Sequence, residues 1–407
     1  MKILFLCLGL VFDVNKKTES YTSGYSYLVR DLAIKIAEDN ANSVDCYSKN
    51  KEPEKDCWNG INLVKRSLLR ILRYSKPFYL KKGIEFARLI NGGLWETLYV
   101  VFTFLEGGLV EKVIKDGKYD HISIQGFMEY SIPYILACQR LGCAYSVSFH
   151  ALDVFHKNLN TSQEQVTKWA LDQLAKDGIP VSFISERMRE RALSVVDPQY
   201  KKTANFIVIL NGCSPIPEIS GDIRKIHNIP ESAHIGLCCG NITERKNQVQ
   251  VVRAYNLLDA RIKKDLYFIF VGNVNDANIR TEVEKSDYSD HLILCGPINH
   301  EKLFPYYDTA DFICIASISE GFGLSAVEGF AFGKPVLMWS DLDAVDDIYD
   351  KNAVILVEHR DDEALAEGMV KISRANWSKT CIKEISKKYS ISRMASEYEA
   401  WFKSYMS

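Results

Sequence analysis

The feature that most constrains the fold of this 407-residue chain is a repeated alternation of short apolar runs with segments of helical periodicity. Runs of four to six apolar residues bounded by glycine or polar turns are typical of buried parallel strands. Strands that alternate with helices predict an α/β protein with doubly wound parallel sheets. The predicted strands are Ile3–Leu8, Ser43–Tyr47, His121–Gln125, Tyr145–Phe149, Val181–Ile184 and Phe206–Leu210, followed by His234–Cys239, Leu266–Val271, His291–Cys295, Phe312–Ala316, Val336–Trp339 and Val354–Val357.

A polar, proline-bearing segment, Asn211–Gly221, separates the two series of strands and has the composition of an interdomain linker. We therefore predict two facing Rossmann-like domains, over residues 1–212 and 213–385. Ligands of doubly wound sheets bind at the carboxyl ends of the strands, so the ligand is expected in the cleft between these domains. The segment Ile385–Met406 predicts an amphipathic helix, and we expect the tail, residues 386–407, to pack on the N-terminal domain.

Composition narrows the class of protein. The apolar share is 47%, the charged share is 25% and the formal net charge is −2, as in an ordinary soluble globular protein. The eleven cysteines include no Cys-x-x-Cys pair, which favours free thiols in a reducing cytoplasm over a metal site. Met1–Phe12 has the apolar character of a signal peptide, but no small-residue cleavage pattern follows, so we interpret it as a buried first strand.

One region departs from the alternation. Between Lys65 and Arg88 the chain carries eight basic residues and one acidic residue, Glu85, with leucine, isoleucine and aromatic residues among them. A basic amphipathic stretch of this kind suits an anionic membrane surface. A solvated helix face followed by a loop explains the same pattern, so both interpretations stay open. Nucleic acid is a poorer partner because the rest of the chain is not basic.

The segment Ser319–Pro335 predicts a strand end, a glycine-rich bend and a short helix that begins near Leu324 and is capped by Gly333. A helix N-terminus after a glycine bend presents N–H groups that can bind a phosphate. Glu320 and Glu328 flank this site, and carboxylates accept hydrogen bonds from sugar hydroxyls. A ligand that carries both a phosphate and hydroxyls satisfies these groups, so the segment predicts a nucleotide-sugar site.

The same segment resembles the donor signature of retaining glycosyltransferases with the GT-B fold, of the type of glycosyltransferase family 4. The resemblance rests on two glutamates eight positions apart, the Gly-Phe-Gly-Leu bend between them and the Gly-Lys-Pro-Val that follows. Weaker similarities to the family's other motifs lie at Gly240–Asn247, Phe149–Asp153, Asn211–Gly212 and Tyr306–Asp311. Together they span most of the C-terminal half and scattered points of the N-terminal half. The resemblance implies two facing Rossmann-like domains and transfer with retention of anomeric configuration.

The resemblance also implies roles for residues of the donor side. Glu320 would hold hydroxyls of the donor sugar, Glu328 those of the ribose, and Lys246 would neutralise the diphosphate. Asn241 stands where the family has an arginine, and Arg245 is the residue that could replace the missing charge. The other implied donor-binding residues are Gly240, Pro297, Ile298, Gly321, Phe322, Gly323 and Leu324.

In the N-terminal half, the resemblance implies that His150 contacts the donor sugar and supports the reacting centre, which makes it the third predicted catalytic residue beside Glu320 and Lys246. Asp153 either orients this histidine or caps a helix. Gly24 corresponds to the family's glycine loop after the first strand, although Ser23 stands where a second glycine is common.

A second acidic pattern points to different chemistry. Asp341 and Asp343 form an Asp-x-Asp pair after a predicted strand, with Asp346 and Asp347 close behind, which suits Mg²⁺ or Mn²⁺. The resemblance implies catalysis without a metal, so we predict no metal site and no cofactor.

Taken together, these patterns predict a cytoplasmic retaining glycosyltransferase that acts in cell-surface polysaccharide assembly. It would move a hexose from a UDP- or GDP-sugar to a hydroxyl of a glycan or glycolipid acceptor, lipid-linked in our interpretation. It would lie at the inner face of the cell membrane if residues 65–88 bind lipid, and it would bind no nucleic acid. Two alternatives stay open: a catalytically silent GT-B subunit that binds a nucleotide sugar or scaffolds a partner, and a GT-B nucleotide-sugar epimerase.

Overall fold

The computed structural model describes residues 1–7, 24–48, 57–90, 93–128, 131–151, 162–216, 219 and 221–405. These residues fall into two compact units. The first contains the described residues up to Leu210 together with Ile391–Tyr405, and the second contains those from Asn211 to Ser390. Each unit is built on one predominantly parallel sheet, which confirms the doubly wound α/β class predicted from the sequence.

The first unit has an eight-stranded sheet in the order β3-β4-β2-β1-β5-β6-β7-β8. Its pairs are parallel except for the antiparallel pair β3–β4. The strands are β1 Lys2–Cys7, β2 Ser43–Ser48, β3 Cys57–Trp58, β4 Ile61–Val64, β5 His121–Gln125, β6 Tyr145–Phe149, β7 Pro180–Phe183 and β8 Asn205–Val208. The helices are α1 Gly24–Ala37, α2 Leu68–Tyr74, α3 Pro77–Ile90, α4 Leu94–Gly117, α5 Ile132–Leu141, α6 Ser162–Lys176 and α7 Glu186–Val195, with α17 Ile391–Lys403 at the end of the chain.

The second unit has a six-stranded parallel sheet in the order β11-β10-β9-β12-β13-β14. Its strands are β9 His234–Cys239, β10 Leu266–Val271, β11 Leu292–Gly296, β12 Phe312–Ile315, β13 Val336–Trp339 and β14 Val354–Val357. Its helices are α8 Ile223–Ile226, α9 Gln248–Asn256, α10 Ala260–Lys263, α11 Asn278–Glu284, α12 Phe304–Thr309, α13 Leu324–Ala331, α14 Val345–Ile348, α15 Asp362–Arg374 and α16 Lys379–Ser386.

All twelve predicted strands are present, with ends that differ by at most two residues from the prediction. The sequence did not reveal β3 and β4, because β3 has only two residues and β4 alternates buried and exposed positions over only four. The basic region Lys65–Arg88 is mostly helical and forms α2 and α3.

The end of the chain differs from the single helix expected over Ile385–Met406. α16 ends at Ser386, a 3₁₀ turn covers Lys387–Tyr389, and α17 begins at Ile391. The physical reason is Tyr389, which is buried in the second unit and whose carbonyl accepts a hydrogen bond from Cys213 N at 2.7 Å. Met406 lies outside the described residues.

α17 packs in the first unit, against α1. Its buried residues Met394, Tyr398 and Phe402 form the apolar face that the sequence predicted. The ring of Phe402 stacks on His121 of β5 with 4.4 Å between the ring centroids. The last helix therefore completes the core of the unit that contains the first strand.

Candidate active site

The order of the second sheet decides which loops come together. β9 and β12 are neighbours, although four α-helices and two strands separate them in the chain. The strand order reverses direction between them, and the crevice at such a switch point is where ligands of doubly wound sheets bind. The loop that follows β9 and the bend that follows β12 therefore lie at the same edge of the sheet. These loops carry the predicted residues Lys246 and Glu320.

The bend after β12 has the local structure that the sequence predicted. α13 begins at Leu324, and Gly323 before it has a φ of +80°, a left-handed conformation that favours glycine. Gly321 does not share this conformation, so only the second glycine is required for the turn. After the helix, Gly333 has a φ of +72° and its N–H donates to Phe330 O at 2.8 Å, in agreement with the predicted end of the helix.

Lys246 and Glu320 form an ion pair, with Nζ 2.5 Å from Oε2. The side chains are 19% and 12% exposed, so the pair is largely removed from water. Ser317 Oγ also donates to Glu320 Oε2, at 3.2 Å. Burial alone would raise the pKa of Glu320, but the charges of Lys246 and Arg245 and the hydrogen bonds hold this pKa below its usual value. The carboxylate is therefore ionised at neutral pH.

Glu328 lies on α13 and accepts two hydrogen bonds. His300 Nε2 donates to Oε1 at 2.9 Å, and Tyr307 Oη donates to Oε2 at 2.5 Å. Tyr307 is buried, and burial together with the nearby Cys239 and Glu328 raises the pKa of its hydroxyl well above the usual value, so it remains a donor. The sequence analysis missed both partners. Tyr307 lies inside the segment Tyr306–Asp311 that resembles the family, but His300 had no signal of its own.

The loop after β9 is closely packed. Gly240 has a φ of +129°, and a Cβ on Gly272 would lie 2.3 Å from Gly240 O. Asn241 Oδ1 accepts from Asn273 N at 3.1 Å, so this side chain fastens the loop to the segment that follows β10. The side chain of Asn241 thus has a partner within the fold, at the position where the family resemblance implied an arginine.

Arg245 also has a main-chain partner. Its Nη1 donates to Ser319 O at 2.9 Å, and its own carbonyl accepts from Ile318 N at 2.7 Å. Arg245 therefore ties the loop after β9 to the bend after β12. Its charge contributes to the low pKa of Glu320, as noted above.

Pro297 and Ile298 directly follow β11, whose last residue Gly296 has a φ of +72°. Pro297 is exposed and Ile298 is half-buried. Two residues later the chain reaches His300, the partner of Glu328. The implied donor-binding residues Pro297 and Ile298 are thus close in the chain to a residue that contacts the predicted ribose-binding carboxylate.

His150 lies at the end of β6 in the first unit and contacts the side chain of Gln125 at the end of β5. Gln125 Nε2 donates to Ser123 Oγ at 2.8 Å and to Ser148 Oγ at 3.2 Å, which leaves its Oε1 to accept from His150 Nε2 at 3.0 Å. Burial lowers the pKa of His150 to about 4, so the ring is neutral at pH 7. The other ring nitrogen, Nδ1, is buried and has no hydrogen-bond partner among the described residues. With the proton on Nε2, Nδ1 is an acceptor.

α1 and α17 both support this histidine. Tyr25, the second residue of α1, packs its ring edge-on against His150 at 5.0 Å and donates from Oη to Gln125 O at 2.5 Å. Gly24, the first residue of α1, therefore lies one residue from a contact of His150. From α17, Tyr398 Oη donates to Ser148 Oγ at 3.0 Å. Asp153 and Ser23 lie outside the described residues.

The Asp-x-Asp pattern has an ion pair of its own. Both carboxylate oxygens of Asp341 accept from Arg360 Nε at 2.9 Å, and Arg360 Nη1 donates to Ser317 O at 3.2 Å. Asp343 is buried. Within the described ranges, no group of three or more His, Cys, Asp or Glu side chains is arranged to hold a metal ion. Metal-independent chemistry remains a prediction.

Residues 220–388 match the family model described as Glycosyl transferases group 1. This segment contains every predicted donor-binding residue except Gly24. A curated relative, the D-inositol 3-phosphate glycosyltransferase of Paenarthrobacter aurescens, is 31% identical over 126 residues, which are 30% of this chain and 31% of that protein. The chain spans only about a third of the length of the first curated relatives that it matches.

Solved structures match over nearly the whole chain. The sucrose-phosphate synthase of Thermosynechococcus elongatus aligns over 99% of both chains, with a TM-score of 0.75 and 18% identity. Anabaena Alr3699/HepE, solved in complex with UDP and glucose, aligns over 99% of this chain and all of that chain, with a TM-score of 0.67 and 13% identity. These similarities confirm the predicted GT-B fold class.

Proposed function

We propose that this chain is a glycosyltransferase that uses a nucleotide-diphosphate sugar as donor. The observation that carries the proposal is the placement of Lys246 and Glu320 at the switch point of the second sheet, inside the segment that matches the glycosyl transferase family. A cation at this position suits a diphosphate, and a carboxylate beside it suits the hydroxyls of a sugar. Glu328 adds a second carboxyl group on α13, the helix that follows the bend.

The ion pair defines what a donor has to do on binding. Lys246 Nζ would move from Glu320 to the diphosphate, and the released carboxylate would accept from sugar hydroxyls. A carboxylate has about four acceptor sites, so Glu328 could bind two ribose hydroxyls while it keeps His300 and Tyr307. The diphosphate charge that grows as the glycosidic bond breaks would then be stabilised by Lys246 and by the N–H groups that begin α13.

The finer features of the reaction belong to the same proposal. The donor would be a UDP- or GDP-hexose, which the Anabaena structures with UDP and UDP-glucose support by analogy of fold. The acceptor would be a hydroxyl of a lipid-linked glycan in surface polysaccharide assembly, and transfer would retain the anomeric configuration. His150 Nδ1 would accept a hydrogen bond from a donor-sugar hydroxyl, because it is a buried acceptor at the end of β6 without a partner among the described residues. The enzyme would act in the cytoplasm without a metal ion.

A binding test addresses the donor directly. Thermal unfolding is measured with UDP, GDP and ADP and with their common sugars, since a ligand that binds only the folded state raises the melting temperature. One of these nucleotides should stabilise the wild type, and Lys246→Met should remove the effect. Lys285→Met is the matched control, because Lys285 pairs with Glu282 on the surface of the same unit. Absence of any nucleotide effect, or an equal effect in Lys246→Met, would contradict the proposed donor site.

An activity test separates the alternatives. Release of the nucleotide from the preferred donor, with transfer to an added acceptor, supports the transferase and excludes the silent subunit. A product sugar with a changed configuration, formed without an acceptor, identifies an epimerase instead. Glu320→Gln should abolish turnover while the nucleotide-induced rise in melting temperature persists, because Lys246 remains and no longer has to leave a carboxylate to bind the diphosphate.

A further inference from the structure

The outer sides of α2, α3 and α4 carry a concentration of exposed apolar side chains. Nine of the fifteen large apolar residues that are exposed in the described part of the chain lie between residues 68 and 99. Single exposed apolar residues are ordinary, but a cluster of this density is typical of an interaction surface. We call it the α2–α4 patch, and its members are Leu68, Leu69, Leu72, Leu80, Ile84, Leu94, Trp95, Leu98 and Tyr99.

These helices are exposed on their outer side although they are well packed on their inner side. A Cβ on Gly108 of α4 would lie 2.1 Å from Tyr74 O at the end of α2, and one on Gly83 of α3 would lie 3.0 Å from Val101 Cα of α4. The three helices therefore approach one another closely through glycine. The exposed residues of the patch are therefore additional to the faces through which these three helices pack against one another.

Six of the eight basic residues of the same region divide into two groups. Arg66 pairs with the buried Glu106, Lys76 with the buried Glu111, and Lys82 with the partly exposed Glu85, so these three cations have carboxylate partners within the protein. Arg73, Lys81 and Arg88 are exposed on α2 and α3, next in sequence to the apolar side chains of the patch. Part of the basic stretch therefore pairs with buried carboxylates, and part faces outward, as both interpretations of the sequence require.

The acidic residues nearby offset only part of this outward charge, since Glu85 is the one acidic residue among the eight basic residues between Lys65 and Arg88. Glu85 is paired with Lys82 at 2.7 Å. Glu96, in the first turn of α4, accepts from Gly93 N at 2.9 Å and so caps its own helix. The surface thus combines exposed leucines, one tryptophan and one tyrosine with an excess of cations. This combination suits an anionic bilayer. Apolar side chains enter the acyl region, aromatic rings lie at the headgroups, and cations contact the lipid phosphates.

We propose that the α2–α4 patch docks this protein on an anionic phospholipid surface. Trp95 and Leu98, which share one side of the first turns of α4, would enter the interface, while Arg73, Lys81 and Arg88 would contact headgroups. The inference deepens the proposed function, since it would bring the enzyme to a lipid-linked acceptor. No helix among the described residues is long and apolar enough to cross a membrane, so attachment through this patch would be peripheral.

Vesicle flotation of the full chain, without donor or acceptor, tests the patch independently of catalysis. Vesicles of phosphatidylcholine alone are compared with vesicles that contain about 30% phosphatidylglycerol, at low and high salt. We expect binding only to the anionic vesicles and a strong decrease at high salt. Trp95→Ser with Leu98→Ser should lower the partition coefficient at least about tenfold. Arg73→Gln, Lys81→Gln and Arg88→Gln together should lower it about fivefold per charge.

Matched controls come from the second unit. Leu257→Ser with Tyr349→Ser replaces two apolar residues that are about half exposed, as Leu98 is. Lys225→Gln, Arg261→Gln and Lys285→Gln replace three exposed cations. These variants should bind like the wild type. Equal binding to neutral and anionic vesicles, no binding at low salt, or unchanged binding of the Trp95 and Leu98 variant would overturn the inference. So would a dimer that the same pair of substitutions dissociates, because the patch would then be a protein interface. None of these results would bear on donor binding.

Discussion

Lys246 Nζ lies 2.5 Å from Glu320 Oε2, across the two loops that meet at the switch point of the second sheet. In the sequence these residues are 74 positions apart, and they were predicted to bind different parts of one ligand. In the structure their opposite charges pair with each other. The pair therefore ties the two loops together, and under the proposed function a donor would have to open it on binding.

The first prediction concerns the stability of this pair. Lys246→Met should lower the free energy of unfolding by about 2 to 4 kcal/mol, because it leaves a largely buried carboxylate without its cation. Lys246→Met combined with Glu320→Gln should recover a substantial part of this loss. Thermal unfolding of the four proteins measures the coupling. The same cycle at the exposed pair Lys387 and Glu384 of the same unit should give at most about 1 kcal/mol. Strictly additive effects at Lys246 and Glu320 would show that the pair has no energetic coupling.

The second prediction concerns the proton on His150. In the wild type, ¹⁵N NMR of the imidazole ring should show the neutral tautomer with the proton on Nε2, because Gln125 Oε1 accepts from that nitrogen. Gln125→Leu removes the acceptor and should give a mixture of tautomers and a lower kcat. Gln125→Glu keeps an acceptor on Nε2 and adds a charge that should raise the pKa of His150 from about 4.

Gln139→Leu is a control for the loss of an amide elsewhere in the same unit, since Gln139 bonds to Asp177 on the surface. It should leave the ring spectrum and kcat unchanged. A wild-type spectrum with the proton on Nδ1 would rule out the acceptor role proposed for that nitrogen.

The third prediction concerns the hydrogen bonds that orient Glu328. Tyr307→Phe removes the hydroxyl that donates to Glu328 Oε2 and should weaken nucleotide binding about tenfold, because the carboxylate loses one of its two orienting partners. Tyr306→Phe is a close control, as its hydroxyl faces His227 and not Glu328. Calorimetric titration with the preferred nucleotide compares the two variants. Equal affinities would mean that Tyr307 does not position the carboxylate.

The fourth prediction concerns Gly272. Gly272→Ala should disrupt the loop after β9, because its Cβ would lie 2.3 Å from Gly240 O and its φ of +147° is unfavourable for alanine. We expect loss of nucleotide binding together with a lower melting temperature. Gly142→Ala is the control, because it also places alanine at a positive φ, +60°, but with no atom within 4 Å of the new Cβ. It should lower the free energy of unfolding by only about 1 kcal/mol and leave nucleotide binding intact. Wild-type binding by Gly272→Ala would show that the loop tolerates displacement.

The fifth prediction concerns acid stability. Burial lowers the pKa of His121 to about 4, while the unfolded chain protonates near 6.5. Between these values the unfolded state binds more protons, so the free energy of unfolding falls as the pH falls, by about 2 kcal/mol from this residue between pH 7 and pH 5. His121→Asn, which cannot titrate, should flatten that slope in urea unfolding curves of the first unit. His234→Asn, at an exposed position, should not. If the free energy of unfolding varied with pH equally in the wild type and in His121→Asn, His121 would not be the cause of the pH dependence.

The prediction of local structure from the sequence succeeded where short-range patterns dominate. The bend after β12 and the start of α13 follow from glycine spacing and apolar periodicity, and both were predicted at the correct residues. The break between α16 and α17 was missed, because Tyr389 is held by Cys213, a residue far away in the chain. An amphipathic pattern cannot reveal a contact of that range.

What the sequence by itself determined is the position of twelve of the fourteen strands in the described part of the chain and the identity of the charged groups at the candidate site. Only the tertiary structure decided which groups pair: Lys246 with Glu320, Arg245 with the main chain of Ser319, and His150 with Gln125. The physical reason is that the periodicity of a strand or helix is a property of neighbouring residues. The partners of a side chain depend instead on the order of strands in the sheet, which brings β9 beside β12 and β5 beside β6.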